Sequence, residues 1–153
     1  MIDSHDATRA ILRRLLLGEQ VDRTLEVVGA AAVFLGTFAA YATGVFAVAG
    51  GVVLLPGDAT ALGIVVAAGV GYRNGGLVAA WVAPFAAYLG FDAEWALLGL
   101  SSHGLPGRLS FLFDPTGLAV AAAGALVFGT AGFAVGSLVR ASVDYVREGD
   151  ATP

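Results

Sequence analysis

Residues 117–139 read GLAVAAAGALVFGTAGFAVGSLV, twenty-three residues without a charged side chain. Because an α-helix rises about 1.5 Å per residue, this stretch covers the roughly 30 Å hydrocarbon core of a bilayer. Residues 27–48 form another uncharged stretch, of twenty-two residues. These two segments predict transmembrane helices, and they decide the fold class: an all-α integral membrane protein.

The composition of the whole chain favours the same class. Hydrophobic residues make up 58% and charged residues 13% of the 153 residues, whereas a typical soluble domain is about 25% charged. The mean hydropathy is +0.82. We therefore expect the lipid bilayer to surround most of the chain, as a multi-pass protein of the cell membrane.

Two shorter apolar stretches predict two further spans, at residues 59–72 and 77–91. Asp58 is expected to cap the first of them by accepting a hydrogen bond from a backbone N–H near Thr60 or Ala61. Its fourteen residues reach only about 21 Å. The helix must therefore continue past Tyr72, or the apolar residues 52–55 must complete the crossing.

Pro84 lies inside the stretch 77–91. It has no N–H and frees the carbonyl of Ala80, which needs another partner in lipid. The sequence therefore predicts a kink that faces a neighbouring helix.

The segments outside the four spans are more polar. Residues 1–26 carry apolar side chains at helical spacing up to Gly18 and predict an amphipathic helix on the membrane surface. A partner-binding or loosely ordered tail is the alternative. Residues 92–116 are predicted as an outer loop with interfacial aromatic residues, and residues 140–153 as a cytoplasmic polar tail.

Orientation follows from the arginines, which are the only basic residues. Positive charge is retained on the cytoplasmic side of a membrane. With four spans and both termini cytoplasmic, Arg108 is the only arginine in the outer loops. The cytoplasmic segments then contain Arg9, Arg13, Arg14, Arg23, Arg73, Arg140 and Arg147.

Two short motifs recur and suggest two hairpins that form a tandem repeat. Residues 38–41 and 85–88 both read FAAY, and Asp58 and Asp114 both precede an even-numbered span. A duplication predicts that the matched residues lie at equal depths in the membrane. Chance matches are the alternative, because the spans are rich in Ala and Gly.

Small residues four apart allow two helix backbones to approach closely in lipid. Such residues mark candidate helix-packing faces, which either join separate chains or pack helices within one chain. They are Gly36, Ala40 and Gly44 on the first span, and Gly132 and Gly136 on the fourth.

The four spans contain no charged side chain, which disfavours a proton-coupled pump of ordinary design. A polar cavity for a channel or carrier can be formed by hydroxyl groups around the proline kink. Its candidate residues are Thr37, Tyr41, Pro84 and Tyr88.

We expect no catalytic, metal or cofactor site. The ionisable residues of the outer loop surround His103, but neither GxSxG nor HExxH occurs, and the chain has no Cys. A formal charge of −4 argues against nucleic acid as a partner.

These features together predict a non-enzymatic membrane subunit or scaffold that associates with itself or with another membrane protein. The alternative is a small channel or carrier built from the two hairpins.

Overall fold

The computed structural model describes residues 4–18, 23–47 and 55–149, and this part of the chain is all-α. Two helical segments, Thr24–Ala42 and Leu105–Glu148, are long and apolar enough to cross a membrane. The helices are α1 Ser4–Leu17, α2 Arg23–Ala42, α3 Gly57–Tyr72, α4 Leu77–Glu94, α5 Leu105–Leu112 and α6 Pro115–Gly149. A π-helical turn, Trp95–Gly99, extends α4.

Helix α4 lies at the centre of the bundle and packs against α2, α3 and α6, while α3 also packs against α6. Helices α3 and α4 are antiparallel, because Gly63 faces Pro84 and Thr60 contacts Tyr88. Helices α3 and α6 run parallel, since Ile64 and then Ala68 face Gly132 and then Gly136. Helices α3, α4 and α6 therefore pack pairwise against one another, and α2 contributes Tyr41 to the same core through its contact with α4.

Glycines of α6 bring it into backbone contact with α3. A Cβ added at Gly132 would lie 2.6 Å from the carbonyl oxygen of Ile64, and one at Gly136 would overlap the carbonyl of Ala68. Both predicted packing residues thus join helices within the chain. Close approach of this kind maximises van der Waals contact where no hydrophobic force drives association.

Pro84 is fully buried, and it packs against Gly63 of α3. A Cβ added at Gly129 of α6 would lie 2.6 Å from the carbonyl oxygen of Ala80, the carbonyl that the proline frees. The proline position of α4 therefore faces helices on both sides.

Helix α2 ends at Ala42, six residues before the predicted end of the first span. Gly44 has a φ of 75°, and its N–H donates to the carbonyl of Tyr41 at 3.0 Å. The N–H of Val45 donates to the carbonyl of Ala40 at 2.9 Å. This is a Schellman motif with glycine in the left-handed conformation. A Cβ added at Gly44 would meet nothing within 4 Å among the described residues, so this predicted packing residue contacts no helix in the described part of the chain.

The predicted capping role of Asp58 is also wrong. Asp58 lies inside the first turn of α3 and accepts a hydrogen bond from the N–H of Ala47 at 3.0 Å. It thus ties the end of α2 to the start of α3. Asp114, in contrast, is a true N-cap, and its carboxylate accepts the N–H of Gly117 at 2.7 Å.

The tandem-repeat prediction fails on the register of α3 and α6. Ala68 faces Gly136, an offset of 68 residues, so Asp58 lies level with Leu126. Asp114 precedes Leu126 by twelve residues, a separation of about 18 Å along α6. The aspartates therefore lie at different depths, and their recurrence reflects composition.

Helix α1, which ends at Leu17, agrees with the helix predicted up to Gly18. A Cβ added at Gly18 would lie 2.7 Å from the backbone nitrogen of Gly76 at the start of α4. The predicted outer loop and the predicted C-terminal tail, in contrast, are more helical than expected. Residues 92–116 contain the end of α4, the π-helical turn and α5 rather than a loop. Helix α6 continues beyond Val139 to Gly149, so that much of the predicted polar tail is helical.

Candidate functional site between the helices

The predicted polar cavity is a closely packed contact. Thr37, Pro84 and Tyr88 are all less than 2% exposed, and Tyr41 is 8% exposed. Gly90 allows this packing, because a Cβ there would lie 3.0 Å from the Cβ of Thr37. The structure therefore brings the four residues to the interfaces that α4 makes with α2 and α3.

The hydroxyl of Tyr88 connects α4 to the start of α3. It lies 3.2 Å from the hydroxyl of Thr60, which donates to the carbonyl of Pro56 at 2.9 Å. A Cβ added at Gly124 of α6 would lie 3.3 Å from the Tyr88 ring. Tyr88 thus belongs to the packed core of α3, α4 and α6.

Two buried hydroxyls of α2 lack a hydrogen-bond partner within the described residues: those of Thr37 and Tyr41. The Tyr41 hydroxyl points to the backbone N–H of Ala59 without reaching hydrogen-bond geometry. Its ring packs edge-to-face on Phe46 and Phe91, with centroids 5.3 and 4.9 Å apart. Each buried hydroxyl without a partner lowers the free energy of unfolding by about 1–3 kcal/mol. The interface between α2 and α4 is therefore less stable than its close packing alone would give.

An open groove lies on another side of α2. Over the described residues α2 packs against α4 and forms no packed interface with α3. A space of about 850 Å³ remains between α2, α3 and the start of α4. Its walls are mostly small and apolar: Gly29, Ala30, Val33, Val66, Gly69, Val70, Val78, Ala79, Val82 and Ala83.

Charged residues lie at one end of this groove. Arg73 follows α3 and Arg140 belongs to α6, while Glu26 lies in the first turn of α2. The Arg140 guanidinium is 3.6 Å from the carboxylate of Asp144, and both side chains are about half exposed. Such an exposed pair contributes little and does not neutralise the arginine fully. The groove is therefore apolar along its length and formally positive at its charged end.

No protein-family model, curated protein or solved structure matches the chain significantly.

The groove was not predicted from the sequence. The sequence contained one indication of its charged end: the predicted four-span topology places Glu26, Arg73 and Arg140 on the same side of the membrane. Hydropathy does not indicate which helices pack together. The groove exists because α2, over the described residues, packs mainly against α4 and only touches the start of α3.

The polar residues around His103 have structural partners. Arg108 donates to the carbonyls of His103 and Ser101 at 2.9 Å each, and to that of Leu97 at 3.3 Å. The hydroxyl of Ser102 lies 3.3 Å from Nδ1 of His103. Arg108 thus closes the turn between the π-helical turn and α5 by satisfying three carbonyl groups.

Helix α2 also has an exposed face directed away from α4, which we call the outer face. Val28 and Leu35 are 58% and 60% exposed. The small residues Ala32, Gly36 and Ala39 are exposed as well. A Cβ added at Gly36 would meet nothing within 4 Å, so this predicted packing residue has no partner helix among the described residues. Ala40, on the groove side of α2, is half-buried.

Proposed function

We propose that the chain is a non-enzymatic membrane subunit or scaffold that binds another transmembrane helix through the outer face of α2. In this proposal α2, α3, α4 and α6 cross the bilayer, and both termini are cytoplasmic. The partner is a second copy or another membrane protein.

Helix directions support the four-span topology. The two α3 contacts with α4 and α6 have the antiparallel and parallel senses that alternating spans require. Arg73 and Arg140 line one end of the same groove, and Arg108 lies beyond the opposite end of α4. This separation agrees with retention of positive charge on the cytoplasmic side.

The observation that carries the functional proposal is the outer face of α2. Its apolar side chains are exposed, and α2 is long enough to cross a membrane. Exposure to lipid carries little cost, and the small residues Ala32, Gly36 and Ala39 allow a second backbone to approach closely. The face is therefore suited to a helix from another chain.

A channel or carrier has weaker support. The unsatisfied hydroxyls of Thr37 and Tyr41 are the feature that favours it. The same side chains are almost fully buried in a packed interface, which is unlike the water-filled lining of a permeation path.

Disulfide crosslinking in native membranes tests the proposal, because the chain has no cysteine of its own. We expect Gly36→Cys to crosslink to a second copy or to a partner cysteine. Ala131→Cys is the matched control, since Ala131 is an exposed small residue of α6. Equal crosslinking at both positions, or none at Gly36→Cys together with a monomeric mass in mild detergent, would contradict the proposal.

A further inference from the structure

We infer that the groove between α2 and α3 binds one anionic phospholipid, with its phosphate at Arg73 and Arg140 and an acyl chain along the apolar walls. The inference rests on the proposed membrane location and assigns a lipid ligand that the scaffold proposal does not include.

The dimensions of the groove fit such a ligand. Its volume of about 850 Å³ lies within the 300–1,000 Å³ of typical small-molecule sites. Along α2 the lining extends over the nine residues from Leu25 to Val33, a rise of about 12 Å. A Cβ added at Gly29 or Gly69 would meet nothing within 4 Å among the described residues, so the groove has free space at both positions. An apolar chain can therefore lie between the two helices.

Charge complementarity selects the head group. A guanidinium donates two parallel hydrogen bonds to a phosphate, and the groove offers two guanidinium groups at one end. Glu26 is the one carboxylate in the lining. The formal sum of the lining is +1. Asp144 lies outside the lining, 3.6 Å from Arg140, and offsets this charge only weakly because both side chains are about half exposed. The charged end therefore favours a lipid of net negative charge over a zwitterionic lipid.

The proposed orientation places these groups at the right depth. Arg73 and Arg140 directly follow the apolar spans of α3 and α6, where arginine side chains reach the head groups of the cytoplasmic leaflet. The apolar part of the groove then extends into the hydrocarbon core. A phospholipid with its phosphate at the arginines thus matches the groove in both polarity and direction.

Native mass spectrometry of the purified full chain, titrated in neutral detergent with phosphatidylglycerol or phosphatidylcholine of the same acyl chains, tests the inference. We expect one bound lipid and a preference for phosphatidylglycerol. Each of Arg73→Gln and Arg140→Gln should weaken phosphatidylglycerol binding about ten-fold, the effect of losing a charged hydrogen bond. Glu26→Gln should strengthen it or leave it unchanged.

Two variants test the location. Gly69→Leu adds a side chain to the groove, where a Cβ would meet nothing within 4 Å among the described residues, and it should reduce binding of both lipids. Ala131→Leu, at an exposed position of α6, should bind lipid as the unaltered chain does. Circular dichroism and thermal unfolding verify that both variants fold. If phosphatidylglycerol binding were unchanged in Gly69→Leu, or in a variant that combines Arg73→Gln with Arg140→Gln, the inference would be overturned.

The competing occupant of the groove is a helix of a second copy. In that case Val66→Cys, at the wall of the groove, would form disulfide-linked dimers, and the lipid inference would fail. Failure of the scaffold proposal is recognised separately, because Gly36→Cys would then not crosslink while phosphatidylglycerol binding persists.

Discussion

The Cβ position of Gly63 lies 2.5 Å from the Cβ of Pro84, so that α3 meets α4 at the residue whose missing N–H interrupts the hydrogen bonding of α4. A side chain at position 63 must displace the proline ring or its backbone. The packing of α3 against α4 thus depends on the absence of a side chain at position 63.

We expect Gly63→Ala to destabilise the protein by about 1–3 kcal/mol, the usual cost of overpacking. Gly69→Ala on the same helix is the matched control, because a Cβ there would meet no atom of the described residues within 4 Å. It should be neutral or stabilising by up to about 1 kcal/mol, since alanine favours helix. Denaturant unfolding in detergent measures both values. Equal stability of the two variants would show that α4 moves away at no cost.

The hydrogen bond between Trp81 and Thr130 should couple α4 to α6. Nε1 of Trp81 donates to the Thr130 hydroxyl at 2.9 Å, and that hydroxyl donates to the carbonyl of Leu126 at 2.6 Å. A double-mutant cycle with Trp81→Phe and Thr130→Val should give a coupling energy of about 0.6 kcal/mol, the average for interhelical bonds in a membrane. Additive effects of the two substitutions would mean that the bond contributes nothing to stability.

The contribution of Asp92 to stability should fall as the pH rises through the acidic range. Asp92 follows the predicted span 77–91, and burial raises its pKa above the ordinary value of 3.8. The folded chain then binds this proton more tightly than the unfolded chain does. The stabilisation that this tighter proton binding provides is complete below pH 3.8 and disappears as the pH passes the raised pKa. Asp92→Asn should weaken the dependence of the free energy of unfolding on pH. The variant should also be more stable than the unaltered chain at neutral pH. Parallel pH profiles of the unfolding midpoint would contradict this.

Cysteine labelling should reveal the orientation. Ser102 lies in the exposed turn before α5, and Ser142 lies on the exposed surface of α6 beyond the apolar stretch. With both termini cytoplasmic, a membrane-impermeant maleimide should label Ser102→Cys in intact cells and label Ser142→Cys only after permeabilisation. Labelling of both in intact cells would exclude the four-span topology.

The apolar stretches predicted which residues form helices better than they predicted where those helices end. Residues 45–48 are apolar, so hydropathy extended the first span through them, although Gly44 carries the signal for a helix end. At the other extreme, residues 140–149 are polar and still helical, with Arg140 and Asp144 paired four residues apart. Hydropathy reports the preferred solvent of a segment, whereas capping and local pairing decide its length.

The packing of the helices could not be predicted in the same way. Gly132 and Gly36 look alike in the sequence, as small residues in apolar stretches. The structure buries the first against Ile64 and leaves the second exposed. Which glycine meets a neighbour depends on the pairing of helices that are distant in the chain, and this pairing also creates the groove.

Helix α6 is long enough to act as a lever. Its thirty-five residues measure about 52 Å, well beyond the roughly 30 Å of hydrocarbon that a span has to cross. The ten residues after Val139 extend the rod by about 15 Å. Because the helix continues without a break past Val139, a change in the tilt of α6 against α3 would displace Glu148 further than any residue inside the bundle. In the proposed topology, such a change in tilt would be amplified at the cytoplasmic end of α6.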